Sequence, residues 1–360
     1  MATWTVDCDQ IADLAAGCAL LGSGGGGETH AFRLVLEALV AERGPVRVID
    51  VEDLAPEALV VNIAYIGAPI VMVEKLFSEQ LVVSALAAMS RWLGRPIDAV
   101  MSAEIGGSNG LLPLVVGSLC GIPVIDADSM GRAFPMGHMT TCAIYGCSGS
   151  PSVVTTEHGD VVYLESTSNR RIENLQRAVS VAAGHLCFSV DYPLSREQVQ
   201  RCAVLRTVSL ARRLGAALRV ARETHSDPVA GLAAVLASND GLAVHMLFEG
   251  KIIQREHTTS AGWDFGQVTI ASVPPGREMT VQFQNEFLLA RSEGYPVATT
   301  PDLICIVDAD SFRSIGSESV RYGQRVKVLR IQAPAMLRTP EALQVVGPRA
   351  FGIDLDYITV

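Results

Sequence analysis

Three carboxylates stand where an open α/β sheet usually does its chemistry. Glu104 follows the expected strand Ala99–Ala103, and the expected strand Ile122–Ala127 delivers Asp126 and Asp128. Ligands of such sheets sit beyond the carboxyl ends of the parallel strands, so adjacent strand ends would bring these acids together. Asp126 and Asp128 are two residues apart and share a face if both are extended. Clustered carboxylates repel, and the proton that one member then retains suits general acid–base work. The same oxygens, with His138 as a nitrogen donor, could instead hold a divalent metal. A third reading has the acids capping helices and turns.

The run Gly22-Ser23-Gly24-Gly25-Gly26-Gly27 is the second feature with chemical meaning. Backbone amides of Gly24, Gly25, Gly26 and Gly27 at a helix N-terminus would hold an anionic ligand atom. A plain turn is the competing reading, although four consecutive glycines lose much conformational entropy on ordering. The run also matches a dinucleotide fingerprint formally, with Asp50 in place of the ribose-binding acid. Its context disagrees, because the residues before Gly22 read as helix rather than strand. His30 follows the run and either faces a ligand or sits in a first helical turn. The other histidines form no HxH or HExxH pair, so zinc has little support. Cys142 and Cys147 lie near His138, but a buried structural role suits them better than nucleophilic catalysis.

The elements that must position these residues alternate. Helices are expected at Asp9–Leu21 (capped by Asp7 or Asp9), Thr29–Ala41, Val71–Leu93 and Leu111–Cys120. Strands are expected at Val46–Val51, Leu59–Ile66, Ala99–Ala103 and Ile122–Ala127. This order predicts an α/β N-terminal domain with a mostly parallel sheet, closed by short strands at Thr140–Tyr145, Ser152–Glu157 and Val161–Glu165. Beyond Glu165 come amphipathic helices at Arg170–Ala183, Arg196–Leu218 and Asp227–Leu236. Short strands follow from Ala243 to a last one near Asp354–Ile358. The second half is therefore expected to be a β-rich C-terminal domain, barrel or sandwich-like, joined through helices. We place the boundary between residues 1–167 and 168–360.

Composition supports that division. At roughly 100–200 residues per domain, 360 residues suggest two. Apolar residues make up 49% and charged residues 18%, enough to bury a large core and exclude disorder. The net charge of −10 argues against nucleic acid or an anionic membrane as partner. Up to Glu165 there are 7 Lys/Arg against 19 Asp/Glu, a net of −12, so all the acidity lies in the first half. The arginines of 196–222 then read as a solvated face that docks on it. Eight scattered cysteines without a CxxC pair suit a reducing cytoplasm. No segment reads as a membrane span or a signal peptide.

Several phrases recur in one order: Gly24–Gly27, Gly67-Ala68-Pro69, Val73-Glu74-Lys75-Leu76, Glu104-Ile105-Gly106-Gly107 and Asp126 through Pro135. Asn285-Glu286-Phe287, Pro301-Asp302-Leu303-Ile304, Tyr322 through Val326 and Gly347 through Gly352 follow. Together they resemble the S-methyl thiohydantoin desulfurase-like family, over nearly the whole chain. The resemblance implies hydrolytic removal of methanethiol from an S-methyl thiohydantoin, which leaves a hydantoin. It also implies a hydantoinase- or oxoprolinase-type partner, and a homo-oligomer is expected. In that reading Glu104, Asp126 and Asp128 supply base and acid. Arg132 or the amides of Gly24–Gly27 bind a substrate carboxylate or ring oxygen. Glu28, Gly67, Gly106, Gly107 and His138 flank the pocket, and Asn285 and Glu286 close it from the second domain. Glu28-Thr29-His30, His138, Cys142 and Cys147 depart from the family pattern and leave the substrate open. No cofactor is expected beyond the divalent metal already weighed. A non-catalytic binding or accessory subunit is the alternative.

Overall fold

The computed structural model describes residues 3–67, 75, 77–239, 241–260 and 263–359. The strands of the first sheet are β1 (Trp4–Val6), β2 (Val46–Ile49), β3 (Leu59–Gly67), β4 (Ala99–Ser102) and β5 (Val124–Asp128). To these it adds β6 (Ser152–Thr155), β7 (Val161–Leu164), β8 (Leu186–Ser195) and β9 (Val204–Leu205). The helices are α1 (Cys8–Leu21), α2 (His30–Arg43), α3 (Glu79–Leu93), α4 (Ser108–Cys120) and α5 (Thr141–Ile144). Later come α6 (Asn169–Ala182), α7 (Arg196–Cys202), α8 (Thr207–Thr224), α9 (Pro228–Ala237) and α10 (Pro340–Val346).

The first sheet runs β1-β2-β5-β4-β3-β8-β6-β7, with β9 also on β5. Its centre, β2-β5-β4-β3, is parallel, and antiparallel strands extend it. Parallel neighbours need long crossovers, and α3 and α4 supply them. Every residue of β4 and β5 is buried, as expected for central parallel strands covered on both faces, so Asp126 and Asp128 are buried too. This is the expected α/β domain, except that it takes β8 and β9 from beyond residue 167.

The second sheet is all antiparallel, in the order β14-β13-β12-β11-β10-β16-β15. Its strands are β10 (Val244–Ser260), β11 (Trp263–Ala271), β12 (Glu278–Gln284), β13 (Glu286–Ser292), β14 (Tyr295–Thr299), β15 (Leu303–Asp308) and β16 (Arg325–Ile331). Alternate residues such as Val268, Ile270, Met279, Val281 and Phe283 fill its own core. The sheet curls so that β13 approaches β15. The β-rich second domain, joined through helices, is thus as the turn pattern suggests.

Local differences have local causes. Thr140–Tyr145 is a short helix rather than a strand, because the Thr140 hydroxyl caps the Ala143 amide. The expected helix Arg196–Leu218 is broken into α7 and α8, with Arg206 at a φ of 64° between them. Leu186–Ser195 is a strand where none was expected, and Asp354–Ile358 forms none. The N-terminal part of the helix expected at Val71–Leu93 lies outside the described residues, as do Ala68, Pro69, Val73, Glu74 and Leu76.

The two halves of the chain meet closely where α1 crosses α8. A Cβ at Gly17 would lie 1.8 Å from the Ala211 carbonyl oxygen, and one at Gly215 would lie 1.8 Å from that of Asp13. Arg219 of α8 reaches across with its Nε and Nη2 to Asp13, at 2.9 and 3.1 Å. Gly215→Val should therefore lose about 3 kcal/mol or more through overpacking. Gly231→Ala, where a Cβ has 3.7 Å of room, should gain up to about 1 kcal/mol of helix propensity. Urea unfolding of both variants checks this, and a Gly215→Val protein of unchanged midpoint would contradict it.

Candidate active site

A cleft opens between the ends of β3 and β4, the strand β8, the helix α6 and the start of β13. Glu104, Gly26, Gly27, Gly67, Asn285 and Glu286 line it, all of them expected site residues. The cleft therefore lies between the domains, where ligand sites are common.

Glu104 sits just past β4 and is buried. Asn109, in the first turn of α4, donates to its Oε1 at 2.6 Å, and the Phe134 amide approaches Oε2 at 3.3 Å. The Asn109 Oδ1 is itself held by the Tyr65 amide at 2.9 Å, which fixes the amide's orientation. Burial pushes the Glu104 carboxyl up to about 7, against the opposing pull of these hydrogen bonds.

Glu286 faces Glu104 from the second domain. The turn between β12 and β13 is a single residue, Asn285, at a φ of 57°. Asparagine tolerates that left-handed conformation, and its side chain accepts from the Asp264 amide at 2.9 Å. The tight turn delivers Glu286 buried, with Oε2 lacking a hydrogen-bond partner. Burial, and then the negative charge of Glu104, hold its carboxyl well above the usual range, while Arg132 opposes the shift.

The other expected acids lie outside the cleft lining. Asp126 and Asp128 do share a face of β5, but that face meets α8. Asp126 accepts from the amide and the hydroxyl of Ser209 and so caps the first turn of α8. Asp128 accepts amides of Ile105, Met130 and Gly131 at 2.8, 3.1 and 2.8 Å, binding two loops together. Both are the capping acids of the third sequence reading. Arg132 is fully buried and donates to the carbonyls of Ala133, Pro301, Asp302 and Phe287. It has no free face for a substrate carboxylate.

The glycine run is a packing seam. A Cβ at Gly24 would strike the Phe287 ring, and one at Gly25 would strike the Glu286 carboxylate. Gly26 and Gly107 exclude a Cβ from each other, and the Gly26 and Gly27 carbonyls accept the Ser108 amide that starts α4. Gly106 packs on Gly22 and Ala133. Helix α1 precedes the run, so the strand a dinucleotide fingerprint needs is absent there. Glu28 caps the His30 amide at 2.7 Å and faces a different groove. His138 is half-buried beside the cleft-lining Gly137, and burial lowers its pKa.

Burial pushes the thiol of Cys142 far up and that of Cys147 to about 11, which leaves neither as a ready nucleophile. Among the described residues, no group of three or more His, Cys, Asp or Glu is arranged to hold a metal ion. None of their helices is long and apolar enough to cross a membrane. Three charged cleft residues were not singled out from the sequence: Glu173, Arg177 and Asp191. Asp191 lies on the unexpected strand β8, accepts from Gln176 at 3.0 Å and is pushed up to about 7 by burial. Arg177 pairs with Glu173 at 2.6 Å and stacks on Trp263 at 3.9 Å. The amphipathic spacing of α6 was legible, but nothing in it marked Glu173 and Arg177 as inward-facing.

Two family models match the chain. The S-Me-THD-like N-terminal domain covers residues 9–166, and the S-Me-THD-like C-terminal domain covers residues 167–360. No curated protein matches. A crystal structure of a protein from Chromobacterium violaceum is similar in fold, with a TM-score of 0.82. It is 24% identical, and the match covers 99% of each chain.

Glu104 holds its proton more tightly in the folded chain than unfolded, where its value is near 4.5. Its contribution to stability is therefore full below about pH 4.5 and is lost as pH rises through about 7. Subtracting a Glu104→Gln variant isolates that term. The difference in unfolding free energy, wild type minus variant, should fall by about 3 kcal/mol between about pH 4 and pH 8. Denaturant unfolding across that range measures it, and a flat or rising difference would contradict the assignment.

Proposed function

The chain belongs to the S-Me-THD-like family, and from that premise we propose that it hydrolyses the C–S bond of an S-methyl thiohydantoin or a related small ring. One observation carries this reading. Two buried carboxyls from opposite domains, Glu104 and Glu286, line one cleft, both held above the usual range by burial, and the second raised further by the charge of the first. Such a pair divides the work of base and acid.

Glu104, near neutrality, takes a proton from water as the water oxygen bonds to the C–S carbon of the ring. Glu286, protonated, gives its proton to the sulfur as the C–S bond breaks. Water and the S-methyl thiohydantoin become hydantoin and methanethiol, and transfer of the proton from Glu104 to Glu286 resets the site. Asn109 acts as a positioning residue, because it fixes the oxygen of Glu104 that does not receive the proton. Arg132 stands behind the wall and stabilises the ionised form of both acids. The hydantoin left behind is the substrate of a hydantoinase-type enzyme, which makes such an enzyme the proposed downstream partner.

General acid–base catalysis contributes about 10²–10⁴-fold, so Glu104→Gln and Glu286→Gln should each lose at least about 10²-fold in turnover. Release of methanethiol from a synthetic S-methyl thiohydantoin, trapped with a thiol reagent, is the assay. Full turnover in both variants would overturn the assignment of roles. Binding of the ring with no turnover by the wild type would favour a non-catalytic accessory subunit instead.

A further inference from the structure

Two cysteines that lie 55 residues apart in the chain meet in the fold. Cys147 follows α5 in a loop, and Cys202 ends α7. Their sulfurs are 3.4 Å apart. The Cys202 sulfur accepts the S–H of Cys147 and, also at 3.4 Å, the Nε–H of Arg201. Two donors aimed at one sulfur, one of them cationic, favour its thiolate. Cys147 is the opposite case. Burial, and then the neighbouring Cys202, push its thiol up to about 11, so it keeps its proton. Both side chains are buried, yet Arg201 is exposed, as are Gly146 and Ser148 on either side of Cys147. A small oxidant has a surface side chain and a surface loop to pass, not a core. Cys142 belongs to the same apolar cluster, but its sulfur contacts the Ser129 hydroxyl at 3.3 Å.

We propose that Cys147 and Cys202 form a redox-active dithiol that a hydroperoxide closes to a disulfide. The Cys202 thiolate attacks a peroxide oxygen. The S–O bond forms, the O–O bond breaks, and the departing alkoxide takes up the proton that Cys202 gave up. The Cys147 sulfur then attacks the sulfur of the Cys202 sulfenic acid. The S–S bond forms, the S–O bond breaks, and hydroxide leaves as water with the Cys147 proton. The two thiols together lose two electrons, and one hydroperoxide is reduced to an alcohol and water. A disulfide bond is about 2.05 Å long, so the sulfurs must approach by about 1.4 Å, within reach of rotation about the two Cα–Cβ bonds. Closure ties α7 to the loop on which α6 is seated. The Cys147 carbonyl accepts from Asn169 Nδ2 at 2.9 Å, and the Gly149 amide donates to Asn169 Oδ1 at 2.7 Å. Asn169 is the first residue of α6, whose Glu173 and Arg177 line the cleft. The dithiol itself stands apart from the chemistry proposed there.

The test treats the reduced full chain with hydrogen peroxide, blocks the remaining thiols in denaturant, and maps non-reduced peptides by mass spectrometry. The expected product is one linkage, Cys147 to Cys202, which a phosphine reductant removes. In urea the selectivity should vanish, and sequence neighbours such as Cys142 and Cys147 should pair instead. Cys147→Ser should leave a sulfenic acid at Cys202 that dimedone labels, whereas Cys202→Ser should leave none at Cys147. Arg201→Ala should slow closure at least about threefold. Absence of the linkage in the wild type overturns the proposal, as does a dominant linkage through Cys142. Equal selectivity in urea overturns it too, as does dimedone labelling of Cys147 in place of Cys202. An unchanged rate in a folded Arg201→Ala protein also contradicts it.

Discussion

A buried guanidinium ties this protein together. Arg132 leaves the loop after β5 and reaches the carbonyls of Phe287, Pro301 and Asp302 in the second domain. Burying an unpaired charge costs several kcal/mol, so its surroundings must answer it. Carbonyls accept from its N–H groups, and burial lowers its pKa to about 10 while the ionised forms of the nearby acids oppose that shift. Asp302 in turn accepts from Arg330 at 2.7 Å and from Tyr357 at 2.9 Å. The contact that docks the domains is also the cation that the cleft acids feel. Domain seam and site electrostatics are therefore one arrangement.

The glycine run lets that seam close. Ser23 exchanges hydrogen bonds with Ile304, at 2.9 and 3.0 Å, while its carbonyl receives the Phe287 amide. The Gly24 carbonyl receives the Ser317 amide. With Gly24 against Phe287 and Gly25 against Glu286, a side chain at either position would push the second domain away. The entropy lost in ordering four glycines is offset by backbone-to-backbone packing that no other residue permits.

How much of this was legible depended on whether a residue's partners were local. The α/β order and the β-rich second half followed from periodicity, because each element buries its own stripe. Glu104 was legible as an acid at a strand end, and Glu286 through the family resemblance alone. The distinction between Glu104 and the pair Asp126 and Asp128 was not, since all three end strands of one sheet. It depends on α8, which packs on β5 from some 80 residues away and takes Asp126 as its cap. Arg132 looked like a ligand clamp because its acceptors, main-chain carbonyls about 170 residues distant, carry no sequence signal. Asp191 was hidden because β8, between two amphipathic helices, was not read as a strand.

The central claim is that Glu286 carries a proton at neutral pH while Glu104 faces it near half-ionisation. Infrared difference spectroscopy of the carboxyl C=O stretch, wild type against Glu286→Gln at about pH 7, reads this without substrate. The account predicts a protonated-carboxyl band in the wild type that the variant lacks, with the Glu104 titration left in place. An unchanged carboxyl region would contradict it.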